Sequence, residues 1–92
     1  MLSSKQRSYL RSLAHHINSN IIIGKNGLSD SSLNFIDECL EKHELIKVKF
    51  SSVDKNDFKD IILKKTNSFI IGSIGKILIL YRPSDGKKIK IP

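Results

Sequence analysis

The sequence has few of the residues that metal, disulfide or redox chemistry needs. Cys39 is the only cysteine among 92 residues, so neither an intrachain disulfide nor a cysteine-based zinc site can form. The histidines do not have the spacing of a recognised metal motif, and no carboxylate motif accompanies them. They are His15, His16 and His43. We therefore expect no metal and no cofactor.

Long apolar runs are also absent. The longest, Ile21–Ile23 and Ile77–Tyr81, are far too short to cross a bilayer. The first four residues are followed by polar and charged side chains instead of the apolar stretch of a signal peptide. No stretch has the composition of a linker or a repeat. The sequence thus predicts a single domain over residues 1–92, in a cytoplasmic and monomeric protein without a membrane partner.

No set of side chains predicts an enzyme. Nucleophilic catalysis needs a nucleophile, a base and an orienting group close together, and no motif supplies them. Cys39 lies among Asp37, Glu38 and Glu41, and this acidic setting should raise the pKa of its thiol rather than lower it. We expect neither catalysis nor a small-molecule substrate.

Acidic side chains are missing from the first 27 residues, although the whole chain is strongly basic. The formal net charge is +7 and the pI is about 9.7, which favours an anionic partner, most often nucleic acid. A lysine-rich surface can also serve solubility alone. The next segment holds five acidic residues: Asp30, Asp37, Glu38, Glu41 and Glu44. The pattern indicates a basic binding face opposed to an acidic face, which could itself dock a basic protein.

Hydrophobic periodicity predicts an α/β fold with the element order α-β-α-β-α-β-β. Ser3 caps the first helix and Gln6 completes a capping box, while Asn18-Ser19-Asn20 should end that helix. Ser29 caps the second helix. The intervening strand, Ile21–Ile23, is apolar on both faces and should therefore be buried on both.

The second half of the chain should complete the sheet. Leu45–Phe50 alternates as a strand with one solvated face. A third helix runs from about Asp54 to Thr66, and Asn67 suits a left-handed cap. The side chains that this helix should bury are Phe58, Ile61 and Ile62. Gly75-Lys76 predicts a tight hairpin turn between the last two strands. Helical crossovers make part of the sheet parallel, whereas the final hairpin is antiparallel.

The loop Gly24-Lys25-Asn26-Gly27 is the chief candidate site. A Gly-x-x-Gly turn exposes backbone N–H groups and lets a phosphate come close, and the following helix offers its positive end. Lys25 adds a charge and Asn26 a side-chain donor. KH domains clamp single-stranded nucleic acid with a loop of this kind. Two glycines around a turn are also common for purely structural reasons.

Other basic residues are candidates as well. Arg7, Arg11 and His15 stand four apart on one side of the first helix, with Lys5 nearby, although a solvated helix face is the ordinary alternative.

Further along the chain, Lys47 and Lys49 could contact RNA or only keep an open strand soluble. Tyr81 and Arg82 could stack on RNA and pair with it, or Tyr81 could belong to the core. The last lysines would form an electrostatic tail; they are Lys87, Lys88 and Lys90.

Several motifs stand in one register from about Leu2 to Pro92. They are Ser3-Ser4-Lys5-Gln6-Arg7, Tyr9-Leu10-Arg11-Ser12-Leu13-Ala14-His15, Ile23-Gly24-Lys25-Asn26-Gly27-Leu28, His43-Glu44-Leu45-Ile46-Lys47-Val48-Lys49 and Leu80-Tyr81-Arg82-Pro83. Together these motifs resemble the YhbY family of CRM domains. The resemblance implies a four-stranded mixed sheet with helices, similar to the carboxy-terminal domain of a bacterial translation initiation factor. It also implies RNA binding, since stand-alone bacterial members are associated with precursors of the large ribosomal subunit and plant relatives bind group II introns.

Transferred to this sequence, the family's RNA-binding residues form three groups. They are the loop Gly24, Lys25, Asn26 and Gly27, the helix face Lys5, Arg7, Arg11 and His15, and the strand-end Arg82. Asn18-Ser19 stands where many members have lysine and proline, and Asn67 stands where glycine is usual.

The leading hypothesis is an RNA-binding factor that associates with ribosomal RNA in large-subunit precursors. The alternatives are a module that docks a basic ribosomal protein through its acidic second helix, and an RNA chaperone or splicing-type factor.

Overall fold

A computed structural model describes residues 2–17, 21–86 and 89–91. Within these residues, three α-helices and four strands follow the predicted order. They are α1 (Ser4–Ala14), β1 (Ile21–Ile23), α2 (Asp30–His43), β2 (Leu45–Phe50), α3 (Lys59–Thr66), β3 (Phe69–Ile74) and β4 (Ile77–Tyr81), with one 3₁₀ turn (Lys55–Asp57) before α3. The predicted α/β fold is confirmed.

The four strands form one mixed sheet in the order β1-β2-β4-β3. β1 pairs with β2 in parallel, with Ile22 beside Lys49. β4 is antiparallel to both of its neighbours, β2 and β3. Lys49 of β2 pairs with Ile77 of β4, which pairs in turn with Ile74 of β3. A register shift between Ile70 and Gly72 interrupts the β3–β4 ladder. The last strand of the chain therefore lies inside the sheet, as its apolar sequence predicts.

Helices cover both faces of this sheet. On one face α2 and α3 pack over a core that includes Ile36, Val48 and Leu80. On the other face α1 places Leu10 and Ala14 over Ile79, Tyr81 and their neighbours. Alternate residues of each strand thus enter two different clusters, and the sheet separates them.

The predicted helix caps and the hairpin turn are confirmed where the structure describes them, although α3 begins at Lys59 and not near Asp54. Ser3 and Gln6 form both bonds of the capping box, and the Ser29 side chain accepts from the Ser32 amide. Asn67 is left-handed, with φ 54° and ψ 44°. Gly75, the first residue of the hairpin turn, has φ +54°, a conformation that glycine adopts without strain. The predicted helix stop at Asn18-Ser19-Asn20 lies outside the described residues.

Two burial predictions are wrong. Ile22 is 65% exposed because β1 is an edge strand and α1 does not extend over it. Ile61 is 45% exposed, because successive side chains of an α-helix point about 100° apart and Ile62 is the one that enters the core. Its neighbour Ile62 is fully buried, as expected. Within the described part of the chain, no helix combines the length and apolar composition needed to cross a bilayer.

A buried carboxylate holds the segment after β4. Glu44 lies between α2 and β2 with φ 66° and no solvent exposure. Its side chain accepts hydrogen bonds from the Ser84 amide at 2.7 Å, from the Ser84 hydroxyl and from the Ile89 amide at 2.8 Å. Its own carbonyl accepts from the Arg82 amide at 2.9 Å. This acid therefore does not contribute to the acidic face that the sequence predicts.

Glu44→Ala should lower the free energy of unfolding by about 2 to 3 kcal/mol, because the buried Ser84 amide loses its acceptor. Urea denaturation followed by circular dichroism measures the change. Glu38→Ala, which removes an exposed carboxylate of α2, is the matched control and should stay within about 0.5 kcal/mol of the wild type. Equal midpoints for Glu44→Ala and the wild type would contradict this role.

Candidate nucleic-acid interface

The Gly24–Gly27 loop is a turn at the carboxyl end of β1. The Gly27 amide donates to the Gly24 carbonyl at 3.0 Å, which closes the turn and leaves Lys25 and Asn26 exposed at its tip. Gly27 has φ +70°. The predicted turn is thus present, with its charged and amide side chains directed to solvent.

The two glycines of this loop have different structural surroundings. A Cβ on Gly27 would lie 2.9 Å from the Phe58 ring, so both its φ and its packing require glycine. A Cβ on Gly24 would meet nothing within 4 Å, and its φ is not positive. The fold itself therefore does not require glycine at position 24. A ligand that comes close to the backbone there would require it, because any side chain would stand in the way.

The amino-terminal end of α2 offers less positive potential than the sequence predicts. The Ser29 hydroxyl already accepts from the Ser32 amide at 3.1 Å, and Asp30 places a carboxylate in the first turn. Both partly neutralise the positive pole of the helix. Any positive potential at the loop therefore depends mainly on lysine side chains.

Lysines from four segments meet at the end of the sheet where the loop lies, which we call the loop end. Here β1 and β2 end and β4 begins. The turn Gly75-Lys76 lies beside the end of β2, where the Phe50 amide donates to the Lys76 carbonyl at 2.8 Å and Lys76 Nζ donates to the Ser51 carbonyl at 3.4 Å. The lysines are Lys25, Lys49, Lys55 and Lys76. Lys55 donates to the Gly75 carbonyl. None of the four forms an ion pair within residues 2–17, 21–86 and 89–91.

The 3₁₀ turn at the loop end also carries acids. Asp54 caps this turn by accepting from the Asn56 amide at 2.9 Å, and Asp57 is exposed. Lys55 and Lys76 are not candidates from the sequence alone, because only strand order and hairpin register bring them beside the loop. The hairpin signal at Gly75-Lys76 could have located Lys76, had the partner strand been known.

The arginines of α1 contact the sheet instead of standing free. Arg7 Nη1 donates to the Ile70 carbonyl at 2.8 Å and Arg11 Nη1 to the Ile71 carbonyl at 3.3 Å. The stem of Arg11 crosses Gly72, where a Cβ would approach it to 3.4 Å. The two arginines thereby fasten α1 to β3 at the register shift.

The remaining predicted residues of α1 lie at opposite ends of the helix. His15 follows α1 and is exposed; it lines a cleft with Lys47 and Ile77 near the loop end. Lys5 is exposed in the first turn, at the end where Gln6 lies near Tyr81. The structure therefore brings His15, but not Lys5, towards the loop.

Arg82 has only a small exposed fraction, 16% of its side chain, and lies at the end of β4 remote from the loop. Its Nη1 donates to Asp37 Oδ1 at 2.6 Å and to the Thr66 carbonyl at 2.7 Å. Its Nη2 donates to the Asp37 carbonyl at 3.0 Å and contacts Glu41 Oε2 at 3.4 Å. A contact of Arg82 with RNA stays a prediction, but these bonds occupy its guanidinium.

Tyr81 is only 2% exposed, which places it in the core and not on a stacking surface. Its burial, and secondly the Glu44 carboxylate, raise the pKa of its phenol.

The acidic helix is partly neutralised from within the chain. Asp37 and Glu41 pair with Arg82, and Glu44 is buried. All four acids on this helix are exposed, but Asp30 and Glu38 form no ion pair with any described residue. This distribution weakens the alternative in which α2 docks a basic protein.

Chemistry at Cys39 is not favoured. Burial and then Glu38 raise the pKa of the Cys39 thiol, against a smaller opposing effect of Lys42. The predicted direction is confirmed, although burial is the larger cause. Among the described residues, no group of three or more histidine, cysteine or acidic side chains could hold a metal ion.

Comparisons with known proteins identify similar chains over nearly the whole length. The family model for the CRS1/YhbY (CRM) domain matches residues 2–82. A Haemophilus influenzae protein named "RNA-binding protein" is 43% identical over 94 residues, which cover 99% of this chain and 95% of that one. The Bacillus subtilis protein named "Probable RNA-binding protein YqeI" is 38% identical, with all of both chains covered. The solution structure of a Staphylococcus aureus protein, described as a candidate RNA-binding protein, superposes with a TM-score of 0.80 at 38% identity and full coverage of both chains.

Arg82→Ala should lower the free energy of unfolding by about 2 kcal/mol, because it removes the bonds that join β4 to α2 and to the end of α3. Arg82→Lys should not restore the loss, since one ammonium cannot reach the same set of acceptors. Lys64→Ala, at an exposed position of α3, is the control. If Arg82→Ala unfolds at the wild-type urea concentration but no longer binds RNA, the arginine contacts RNA and does not serve the fold.

Proposed function

Because this chain belongs to the CRS1/YhbY (CRM) domain family, we propose that it is a non-enzymatic RNA-binding protein that holds the phosphate backbone at its loop end. Relatives at 43% and 38% identity carry RNA binding in their names. The finer proposal is that its RNA belongs to precursors of the large ribosomal subunit. That part depends on the resemblance to stand-alone bacterial members of the family.

The observation that carries the proposal is the lysine cluster around an open glycine. Lys25, Lys49 and Lys76 come from three separate segments of the chain, and the sheet brings them to one end. Gly24 leaves its backbone accessible there, since even a Cβ at this position would have no neighbour within 4 Å. Lysine ammonium groups bind phosphate as point charges, and exposed backbone amides add directional donors.

Such a site reads the backbone more than the bases. Its side chains are mostly lysines, with Asn26 as the amide donor of the loop. Phosphate contacts fix the position of a nucleic acid but carry no direct sequence information. Structured ribosomal RNA, with its folded backbone, fits a protein that recognises shape.

Affinity for a structured ribosomal RNA fragment should fall steeply with salt. If four to six of the basic groups at the loop end and on α1 meet phosphates, the slope of log K against log salt should be about −3 to −5. Filter binding over a potassium chloride titration measures it. A slope near zero would remove the electrostatic mechanism.

The double substitution Lys25→Asp with Asn26→Asp should abolish RNA binding, because two carboxylates then face the phosphate at the tip of the loop. Both side chains are exposed, so the free energy of unfolding should change by less than about 1 kcal/mol. Filter binding and thermal melts measure the two effects. In extracts, gradient sedimentation shows whether the variant still travels with large-subunit particles.

Asn34→Asp with Lys64→Asp is the control for charge. It makes the same change of three charge units at exposed positions of α2 and α3, on the face of the sheet that carries the acidic residues. This control should lose far less affinity than the loop variant. Equal losses would mean that net charge, and not the loop, determines binding.

A further inference from the structure

One row of the sheet carries side chains that no helix of the described residues fully covers, although Ile77 packs partly against the cluster under α1. It crosses all four strands in register, as Ile22–Lys49–Ile77–Ile74, on the face that α1 covers elsewhere. Ile22 is 65% exposed and Ile74 59%. The next row contains Ile79, which is only 3% exposed beneath α1. α1 therefore ends one row of residues before the loop end. The isoleucines of that last row form an aliphatic strip, which α1 leaves largely exposed.

A cleft lies between this strip and the end of α1. Its volume is about 350 Å³. Ile74, Ile77 and Ile79 line it together with Arg11, His15 and Lys47. None of the described residues that line it is acidic. The cleft thus combines an aliphatic floor with basic side chains at its rim.

We propose that this cleft receives an unpaired nucleotide of the RNA whose backbone the loop end binds. A nucleobase has an apolar flat face and polar edges, so isoleucine side chains can contact the face while basic groups lie near the edges and the phosphate. In a paired helix the flat faces are stacked inside, and only unpaired bases can turn out to meet such a floor. The proposal rests on the proposed function and adds the class of RNA.

The position of the cleft fits an RNA strand that also meets the loop. Gly24 follows β1, and the cleft lies over β4 and β3, the third and fourth strands of the sheet. Neighbouring strands are about 5 Å apart, so the separation across the sheet is about 10 to 15 Å. Lys49 lies between them in the same row. A chain of two or three nucleotides can cover this span, with Lys49 beneath its phosphates.

The binding test uses a blunt RNA duplex of two strands in which every base is paired, and the same duplex with a bulge of unpaired uridines. The wild type should bind the bulged duplex about tenfold more tightly, a preference equivalent to about 1.4 kcal/mol. Ile74→Ser should lose most of this preference and retain the affinity for the fully paired duplex. Ile61→Ser, which changes another exposed isoleucine on α3, is the matched control and should keep both affinities.

A second measurement needs no variant. Bulge uridines replaced by 4-thiouridine should crosslink under long-wavelength light to peptides of the β3–β4 hairpin in the wild-type protein. Crosslinks confined to other segments, or a preference that Ile74→Ser leaves unchanged, would overturn the proposal while RNA binding stands. If the wild type binds neither duplex, the proposed function fails and this inference fails with it. If Ile74→Ser abolishes binding to anionic phospholipid vesicles and changes binding to neither duplex, the cleft contacts a membrane surface and the proposal is overturned.

Discussion

The pairing of β4 between β2 and β3 is the constraint on which the rest of the structure depends. Because β1 and β2 run in parallel and β4 runs against them, the Gly24–Gly27 loop, the residues after β2 and the Gly75-Lys76 turn all lie at one end. The Phe50 amide bonds to the Lys76 carbonyl across that end. Lysines that are far apart in the sequence therefore lie at the same end of the sheet, and they form no ion pair with any residue that the structure describes. A different strand order would keep the same net charge but disperse this cluster.

Basic residues divide between two tasks according to their chemistry. Each of the three arginines in the chain donates to backbone carbonyls of another element: Arg7 and Arg11 to β3, and Arg82 to α2 and the end of α3. A guanidinium offers several donors in a fixed plane and keeps its charge when half-buried. Lys25, Lys49 and Lys76 remain exposed. The arginines thus connect elements of the fold to one another. The positive charge that a partner can contact comes largely from lysines.

Local features could be predicted from the sequence because they depend on neighbouring residues. The capping box at Ser3, the cap at Ser29, the left-handed Asn67 and the hairpin turn are all of this kind, and all are present. Strand order is not local, so the exposure of Ile22 was wrongly predicted: an apolar run of three residues has the same sequence in an edge strand as in a central one. The loop was found from its glycines, but its neighbours Lys55 and Lys76 depend on register. For Arg82 the positive charge was visible in the sequence, whereas its acceptors on α2 and α3 were not.

Because the arginines bond within the fold and the lysines stay exposed, the chemistry of the loop end determines which kinds of RNA it can distinguish. Lysine charges and backbone amides act on any phosphate, so by themselves they favour paired and unpaired RNA alike. Discrimination needs a contact that exists for only one of them, and the exposed Ile22 and Ile74 supply apolar surface at the same end of the sheet. That surface is available because α1 stops at Ala14, one row before the sheet ends. The length of α1 therefore determines what this end of the sheet presents. A longer α1 would leave only positive charge there, whereas the short α1, fixed by its arginines, leaves an apolar surface beside the charge.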